Sequence, residues 1–232
     1  MINKKKILAV ITARSGSKRL PNKNILDLAG KPLIAWTIEE SKKSKYIDKL
    51  IVSTDSSEIA EISTRYKAEV PFIRPKELAL DESDSLSVLK HSIKFFEGEY
   101  NYILLLQPTS PLRKVKDIDK AIEMLSKKIK AVVSVCETEH SPLWTNTLPK
   151  DLSMKNFIRP EIKNKRSQDL PKYYRLNGAI YLSEIDYFIK NNGFFADNTK
   201  AYIMSQVSSI DIDVELDFLL VETILKNNIS EK

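Results

Sequence analysis

Ile7-Leu-Ala-Val-Ile11 is followed almost at once by Ala13-Arg-Ser-Gly-Ser-Lys-Arg-Leu-Pro-Asn-Lys-Asn24. Five consecutive apolar residues predict a strand that is buried on both faces. The segment after such a strand lies at the sheet edge where open α/β folds bind their ligands. The two segments together therefore predict a parallel sheet with a binding loop after its first strand.

Further short apolar runs continue this pattern, and stretches with helical spacing of apolar residues separate them. Strands that alternate with helices indicate a parallel sheet covered on both faces. We therefore predict an α/β fold with a Rossmann-like, mostly parallel sheet and helices on both faces. The predicted strands are Ile7–Ile11, Leu50–Val52, Val70–Ile73, Tyr102–Leu106, Ala131–Val135, Gly178–Leu182 and Ala201–Met204. The predicted helices begin near Pro32, Ser56, Leu86 and Ile118, and a last one covers about Val214–Lys226.

Residues 140–176 interrupt the alternation of strands and helices. They contain four prolines and many polar residues, and they show no helical periodicity. A structureless segment of this length is uncommon inside a compact domain, so we expect it to pack against something. We predict a single domain over residues 1–232, in which residues 140–176 form a protruding arm used for dimerisation.

Composition narrows the class of protein. The 232 residues are 42% hydrophobic and 29% charged, which suits one domain with a sizeable core. No uncharged run approaches the roughly 18 residues of a membrane span, and we recognise no signal peptide, so we expect a cytoplasmic protein. The single cysteine, Cys136, excludes an internal disulfide. The two histidines, His91 and His140, are not predicted to be catalytic.

The net charge of +6 raises the question of nucleic acid. Nucleic-acid-binding proteins concentrate cations on one face and usually add exposed aromatic residues. The cations of this chain are mostly interleaved with acidic residues, and a cationic surplus suits a small anionic substrate equally well. We therefore expect neither nucleic acid nor a membrane among the partners.

The loop after the first predicted strand is strongly cationic. Arg14, Lys18, Arg19 and Lys23 fall within ten residues, together with two serines and Gly16. Backbone N–H groups at a glycine turn and flexible cations are what a polyphosphate needs. The loop matches neither G-x-x-x-x-G-K-[ST] nor G-x-G-x-x-G, which disfavours a P-loop ATPase and a dinucleotide dehydrogenase. An ordinary solvated loop is the alternative interpretation.

Asp211 and Asp213 form an Asp-x-Asp pair late in the chain. In a strand, residues two apart share a face, so both carboxylates would point the same way while Ile210 and Ile212 are buried. Paired carboxylates suit Mg²⁺, which prefers oxygen ligands. A solvated edge strand, or Asp213 as a helix N-cap, would produce the same pattern. Combined with the cationic loop, the pair suggests nucleotidyl transfer with Mg²⁺.

Three other features lie near the ends of predicted strands. Gln107 begins a turn fixed by two prolines, where it either faces a ligand or simply belongs to the cap of the next helix. Asn177-Gly178 is more often only a turn. Of the adjacent Phe194 and Phe195, we expect one to be buried and the other exposed.

Six motifs occur in order between about Ile7 and Leu225. They are Ala13–Asn24, Val52-Ser-Thr-Asp55, Arg74-Pro-Lys-Glu-Leu-Ala79, Leu106-Gln-Pro-Thr-Ser-Pro-Leu-Arg113, Asn177-Gly-Ala-Ile-Tyr181 and Ser209-Ile-Asp-Ile-Asp213. In this combination the chain resembles the bacterial acylneuraminate cytidylyltransferases, or CMP-sialic acid synthetases. The resemblance implies that CTP and a nine-carbon 2-keto sugar acid give a CMP-sugar and pyrophosphate, with Mg²⁺ as cofactor, in a homodimer.

The same resemblance implies roles for individual residues. Those implied in catalysis are Arg14, Lys23, Asp211 and Asp213, of which the two aspartates would hold Mg²⁺. Those implied in nucleotide binding are Arg14, Ser17, Lys18, Lys23, Asn24, Arg74, Ser83 and Ser85. Those implied in sugar binding are Gln107, Arg166, Asn177, Tyr181, Phe194 and Phe195. Leu176 and the spacing after Arg166 depart from some family members, and both lie in the arm.

Several alternatives stay open at this stage. Legionaminic, pseudaminic and 3-deoxy-octulosonic acids are alternative acceptors, since sugars that differ only in N-acyl or deoxy groups can differ by as little as ~1–3 kcal/mol in an apolar pocket. A nucleotidyltransferase for another sugar or alcohol is a wider alternative. A non-catalytic nucleotide- or nucleic-acid-binding protein is a third, and the presence of both aspartates disfavours it.

Overall fold

The computed structural model describes residue 2, residues 4–80 and residues 82–227. Helices and strands alternate along most of this length, as the apolar runs predict. The strands are β1 Ile7–Thr12, β2 Asp27–Leu28, β3 Lys31–Pro32, β4 Lys49–Ser53, β5 Tyr102–Leu105, β6 Ala131–Glu137, β7 Tyr174–Glu184 and β8 Thr199–Met204. The helices are α1 Leu33–Lys42, α2 Ser57–Arg65, α3 Ser85–Phe95, α4 Val115–Glu123, α5 Ile185–Lys190 and α6 Glu215–Lys226.

Six of the strands form one sheet in the order β4-β1-β5-β7-β6-β8. β1 pairs in parallel with β4 and β5, and β6 pairs in parallel with β8. β7 is antiparallel to both of its neighbours, β5 and β6. The predicted fold class is therefore confirmed: the sheet is mostly parallel, with one reversed strand inside it.

Helices cover both faces of this sheet. On one face α1, α2 and α4 pack against Ile7, Ala9 and Ile11, and on the other α3 and α5 pack against Leu8 and Val10. All five of these β1 residues are fully buried, which is why the strand reads as an unbroken apolar run. None of the helices in the described ranges has the length and apolarity that a bilayer span requires.

Some expectations about individual elements were wrong. Val70–Ile73 forms no strand; isolated bridges occur only at Ile73 and at Glu69, just before the segment, because Pro71 lacks the N–H that a ladder needs. Residues 210–213 form no strand either, so the two aspartates do not share a strand face. The β2–β3 hairpin and the short helix α5 were not predicted, since neither is long enough to show periodicity.

The segment between β6 and β7 has no regular structure beyond three short 3-10 turns. Its ends are held together where Glu137 pairs with Tyr174. Of residues 140–173, only Ile162 and Leu170 are buried, and the apolar side chains of Leu148 and Leu152 are more than half exposed. The segment thus leaves apolar surface uncovered within one chain.

Candidate active site

The cationic loop after β1 is fixed at both of its ends. Ala13 donates its backbone N–H to the Ser53 carbonyl at 3.0 Å, which carries the pairing of β1 and β4 into the loop. The buried carboxamide of Asn24 donates to the Arg14 carbonyl at 3.0 Å and so closes the loop. The Arg14 guanidinium donates to the Leu80 carbonyl at 3.0 Å. The loop is therefore held in one conformation by the surrounding chain.

Asp55, directly after β4, holds the start of this loop. Its carboxylate accepts hydrogen bonds from Ser15 N at 3.0 Å and from Ser15 Oγ at 2.7 Å. Arg74, only 4% exposed, lies 3.6 Å from the same carboxylate and donates to the Ala13 carbonyl at 3.2 Å. Burial raises the pKa of the Asp55 carboxyl, but the Ser15 hydrogen bonds and Arg74 outweigh it and hold that pKa below its usual value. Asp55 is therefore ionised at neutral pH.

The segment that carries the two aspartates meets the loop. Ile212 is fully buried and donates its N–H to the Thr109 carbonyl at 2.8 Å, which fixes the segment against the turn after β5. Lys23 Nζ donates to the Ile212 carbonyl at 2.5 Å and to Asp213 Oδ1 at 3.2 Å. Arg19 donates to Asp213 Oδ2 at 2.8 Å. Tertiary structure thus joins side chains that stand 190 positions apart.

Asp211 lies deeper than Asp213. Burial raises the pKa of the Asp211 carboxyl, a hydrogen bond with Thr109 lowers it, the neighbouring Asp213 raises it, and the net shift is upward. The buried Oδ1 of Asp211 has no hydrogen-bond partner among the described residues. A cation would stabilise this carboxylate, since burial without a partner is costly for a charged oxygen.

The two carboxylates fit a hard divalent cation such as Mg²⁺. In proteins this ion usually takes one or two carboxylates and completes its shell with substrate phosphates and water. No group of three or more His, Cys, Asp or Glu side chains in the described ranges is arranged to hold a metal ion. Asp211 and Asp213 therefore suit an ion that arrives with, or is completed by, a polyphosphate.

The cationic loop and the two aspartates line one cavity of about 580 Å³. It brings together the cations and the carboxylates that the sequence analysis had combined into a prediction of nucleotidyl transfer. Its lining residues are Thr12, Arg14, Ser17, Lys18, Arg19, Lys23, Asn24, Gln107, Pro108, Thr109, Asp211 and Asp213.

Two smaller cavities adjoin the first one. A cavity of about 240 Å³ shares Arg14 with it and is lined by the remaining predicted nucleotide-binding residues, Arg74, Ser83 and Ser85. A cavity of about 320 Å³ shares Gln107 with the first cavity and Ser85 with the second. The three cavities consequently meet pairwise at the carboxyl ends of β1 and β5.

The 320 Å³ cavity is mostly apolar. Tyr181, Phe194 and Phe195 line it together with two leucines, and Gln107 is among its few polar residues. Phe194 is buried and Phe195 is 62% exposed, which confirms the expectation for this adjacent pair. Burial raises the pKa of the Tyr181 hydroxyl, which keeps it neutral. The lining suits a ligand with methyl groups and one or two polar contacts.

Two predicted sugar-binding residues lie away from all three cavities. Arg166, in the arm, is 72% exposed in its side chain and pairs with Asp169 at 2.9 Å. Asn177 is buried, donates to Ser209 Oγ at 2.8 Å and accepts from Ser134 Oγ at 2.6 Å. In this structure Asn177 therefore connects β6 and β7 to the segment that carries the aspartates.

Sequence reasoning gave no role to three residues that shape the site, namely Asp55, Thr109 and Arg113. Arg113 is fully buried and donates to the Gln107 carbonyl at 3.1 Å and to the Ala179 carbonyl at 2.7 Å. Burial lowers the pKa of its guanidinium to about 10, so it remains a cation at neutral pH. Their positions in the sequence could have identified them, because each of the three follows the carboxyl end of β4 or β5, where α/β folds bind ligands.

A family model described as Cytidylyltransferase matches residues 8–218. The chain belongs to the cytidylyltransferase family. The matched residues run from β1 into α6 and include every cavity-lining residue described above. The predicted class, a CTP-dependent nucleotidyltransferase, is confirmed.

Curated members of the family resemble the chain over nearly its whole length. It is 41% identical to CMP-N,N'-diacetyllegionaminic acid synthase from Legionella pneumophila, over 96% of this chain and 97% of that protein. It is 37% identical to N-acylneuraminate cytidylyltransferase from Escherichia coli over 98% of this chain, which spans 54% of that longer protein. It is 30% identical to pseudaminic acid cytidylyltransferase from Campylobacter jejuni, over 96% of this chain and 97% of that protein. The predicted resemblance is confirmed.

Solved structures share the fold. CMP:2-keto-3-deoxy-manno-octonic acid synthetase complexed with CTP has a TM-score of 0.73 to this chain at 16% identity, with 97% of this chain and 100% of that chain covered. 4-Diphosphocytidyl-2C-methyl-D-erythritol synthase from Anaerococcus prevotii has a TM-score of 0.67 at 16% identity, with 97% and 98% covered. At these identities the comparison supports the fold alone.

Proposed function

We propose that the protein transfers CMP from CTP to a nine-carbon 2-keto sugar acid and releases pyrophosphate. The observation that carries this proposal is the meeting of three differently lined cavities around Arg14, Gln107 and Ser85. One has cations and carboxylates, the smallest has serines and a buried arginine, and the third is mostly apolar. A triphosphate, a nucleoside and an N-acylated sugar each suit one of them.

The nucleotide would occupy the first two cavities. Arg14, Lys18 and Lys23 supply positive charge where the triphosphate would lie, and Ser17 and Asn24 belong to the same lining. We propose that the nucleoside contacts Arg74, Ser83 and Ser85, which line the second cavity. Cytosine needs a pocket that satisfies its amino donor and its carbonyl acceptor together, and such a pocket rejects uracil.

Asp211 and Asp213 would hold Mg²⁺ together with the triphosphate. The Oδ1 atom of Asp211 supports this assignment, since it is a buried acceptor for which the described residues provide no donor. When bound, Mg²⁺ neutralises charge on the phosphates and polarises their oxygens. Arg19 and Lys23 already contact Asp213, so their charges lie within the same cavity as the phosphates.

In the reaction the anomeric hydroxyl of the sugar acid forms a bond to the α-phosphorus. The bond from that phosphorus to the pyrophosphate oxygen breaks, pyrophosphate leaves with the electron pair, and the hydroxyl proton passes to solvent water. Lys23 and Arg14 stabilise the charge that develops on the phosphoryl oxygens and on the leaving group, which is the main protein contribution to phosphoryl transfer. The fixed loop conformation keeps these cations in place before the reaction begins.

The acceptor that we propose is N-acetylneuraminic acid or a close N-acylated relative, including a legionaminic acid. The mostly apolar cavity can cover acyl methyl groups against Tyr181, Phe194 and Phe195, while Gln107 offers a hydrogen bond. The 41% identity to a diacetyllegionaminic acid synthase supports the legionaminic member of this group.

We further propose a homodimer in which the arm reaches the sugar cavity of the other subunit. Arg166 lies away from the cavities of its own chain, and residues 140–176 hold eight Lys or Arg against three Asp or Glu. A cationic arm beside the sugar cavity would attract the carboxylate of the acceptor.

Use of CTP, a cytoplasmic nucleotide, supports a cytoplasmic location.

The test is pyrophosphate release from CTP and Mg²⁺ with a panel of acids: N-acetylneuraminic, legionaminic, pseudaminic and 3-deoxy-octulosonic. We expect release with an N-acylated nine-carbon acid, and none with UTP or with EDTA. Asp211→Asn and Asp213→Asn should each abolish release, while Asp186→Asn, an exposed carboxylate on α5, should not. Absence of release with every acid would refute the acceptor class, and full activity of both aspartate variants would refute the metal site.

A further inference from the structure

Gly178, in β7, leaves space that another residue occupies. Its φ is +74°, and a Cβ built on it would lie 2.6 Å from Gln107 Oε1 and 3.6 Å from Gln107 Cδ. Both contacts belong to the carboxamide of one side chain, and no backbone atom lies within 4 Å of the built position among those nearest to it. A side chain at position 178 is therefore blocked by Gln107.

The backbones on either side cannot easily move to relieve such a contact. The buried Arg113 donates to the carbonyls of both Gln107 and Ala179, and to Thr37 Oγ1 at 2.8 Å. One cation thus ties the turn after β5 to the residue that follows Gly178. Close-packed interiors transmit strain of this kind to whichever group is free to rotate. Here that group is the Gln107 carboxamide.

The Gln107 carboxamide lies where two cavities meet. Gln107 lines both the charged 580 Å³ cavity and the mostly apolar 320 Å³ cavity. None of the side-chain hydrogen bonds within the described ranges involves its carboxamide, so its donor and acceptor remain available to a ligand. Its orientation is set by packing, and Gly178 supplies the space for it.

We infer that Gly178 is a positioning residue for the sugar acid, because the missing side chain lets the Gln107 carboxamide point to the boundary between the two cavities. This inference rests on the proposed function, in which Gln107 contacts the acceptor. A methyl group at position 178 would turn the carboxamide away and remove its hydrogen bonds to the sugar. The loss of one neutral hydrogen bond corresponds to about tenfold in affinity.

The experiment is a double-mutant cycle with Gly178→Ala and Gln107→Ala, measured as KM for the sugar acid, KM for CTP and kcat. We expect Gly178→Ala to raise the KM for the sugar acid about tenfold while the KM for CTP changes less than about twofold. Gln107→Ala should have a similar effect. Adding Gly178→Ala to Gln107→Ala should then change nothing further, since the blocking group is gone.

Gly98→Ala is the matched control. Gly98 has a φ of +78°, close to that of Gly178, but a Cβ there would meet nothing within 4 Å. It therefore reports the cost of the backbone conformation without the contact to Gln107. The fall in its thermal midpoint is the reference for the fall seen with Gly178→Ala. Its kinetic constants should match those of the unmodified protein.

The inference would be overturned if Gly178→Ala and Gln107→Ala raised the KM for the sugar acid by independent factors that multiply in the double variant. It would also be overturned if Gly178→Ala raised the KM for the sugar acid and the KM for CTP equally. If Gly178→Ala alone fails to fold, the double variant should recover the thermal midpoint of Gly98→Ala, and failure to recover would also overturn it. An unmodified protein that is inactive with every acid would refute the proposed function instead, so the two failures are distinguishable.

Discussion

Asp55→Asn tests how firmly the cationic loop must be held. The Asp55 carboxylate accepts from both Ser15 N and Ser15 Oγ, at 3.0 and 2.7 Å, and its side chain is only 16% exposed. Asparagine keeps the shape, offers one acceptor oxygen instead of two and carries no charge. The change also removes the carboxylate that lies 3.6 Å from the buried Arg74.

We expect Asp55→Asn to lower the free energy of unfolding by about 2–3 kcal/mol. Hydrogen bonds to charged groups contribute about 1.5–3 kcal/mol each, and their neutral replacements contribute about half as much. With a urea dependence of about 2–3 kcal/mol per molar for a domain of this size, the unfolding midpoint should fall by about 1 M. Because the loop carries Arg14 and Lys23, we expect the KM for CTP to rise at least about tenfold.

Urea unfolding followed by circular dichroism and pyrophosphate release at varied CTP check these values. Ser15→Ala removes only the hydrogen bond from the Ser15 hydroxyl to Asp55. It should lower the free energy of unfolding by about 1 kcal/mol in the unmodified protein and hardly at all in the Asp55→Asn variant. The folded-state pKa of Asp55 is depressed, so its stabilisation is present above the usual value of 3.8 and is lost as the pH falls through the folded-state pKa. A midpoint within 0.2 M of the unmodified protein (about 0.5 kcal/mol), with an unchanged KM for CTP, would refute the reasoning.

Three other predictions concern buried or half-buried polar groups. Asn177→Ala should lower the free energy of unfolding by about 2 kcal/mol, because the buried Ser209 hydroxyl loses its donor and the Ser134 hydroxyl keeps only Ile180 as a partner; an altered KM for the sugar acid without loss of stability in urea would indicate a ligand role instead. Arg113→Met should lower the free energy of unfolding by about 3 kcal/mol and the thermal midpoint by about 6–12 °C, because the carbonyls of Gln107 and Ala179 each lose a donor; a clearly smaller fall in calorimetry would contradict this. Burial raises the pKa of the Glu184 carboxyl, but hydrogen bonds from Lys130 and Lys5 hold it below its usual 4.5. Glu184→Gln should therefore be less stable by about 1 kcal/mol at pH 7, and the difference should shrink as acid titration passes below pH 4.5; a constant difference down to pH 2 would contradict this.

The strands of the sheet were predictable because their environment is uniform. Ile7–Ile11 is buried on both faces, so every residue in it is apolar, and the strand can be recognised without knowing its partners. Val70–Ile73 has the same apolar appearance, but Pro71 limits it to isolated bridges. β7 was placed correctly as an element, although its reversed direction depends on tertiary connections that periodicity does not contain.

The candidate site was predictable only in part. The cationic loop and the Asp211–Asp213 pair are local in sequence, so their composition already indicated phosphate and metal chemistry. Asp55 and Arg113 act through partners far along the chain, and nothing in their immediate neighbours reveals those partners. Gly178 is the clearest example, since its importance lies in the side chain that it lacks and in its closeness to Gln107, in the turn after β5.

The arm enters and leaves the sheet at one place, where Glu137 and Tyr174 face each other on neighbouring strands. Its length is therefore not constrained by the distance that it must bridge, and a longer or shorter insertion costs little free energy in such a loop. Evolution could exchange this segment as a unit while the register of the strands that carry the phosphate chemistry stays unchanged. With the arm beside the acceptor, as proposed above, replacing this one insertion would change the acceptor preference without redesign of the sheet.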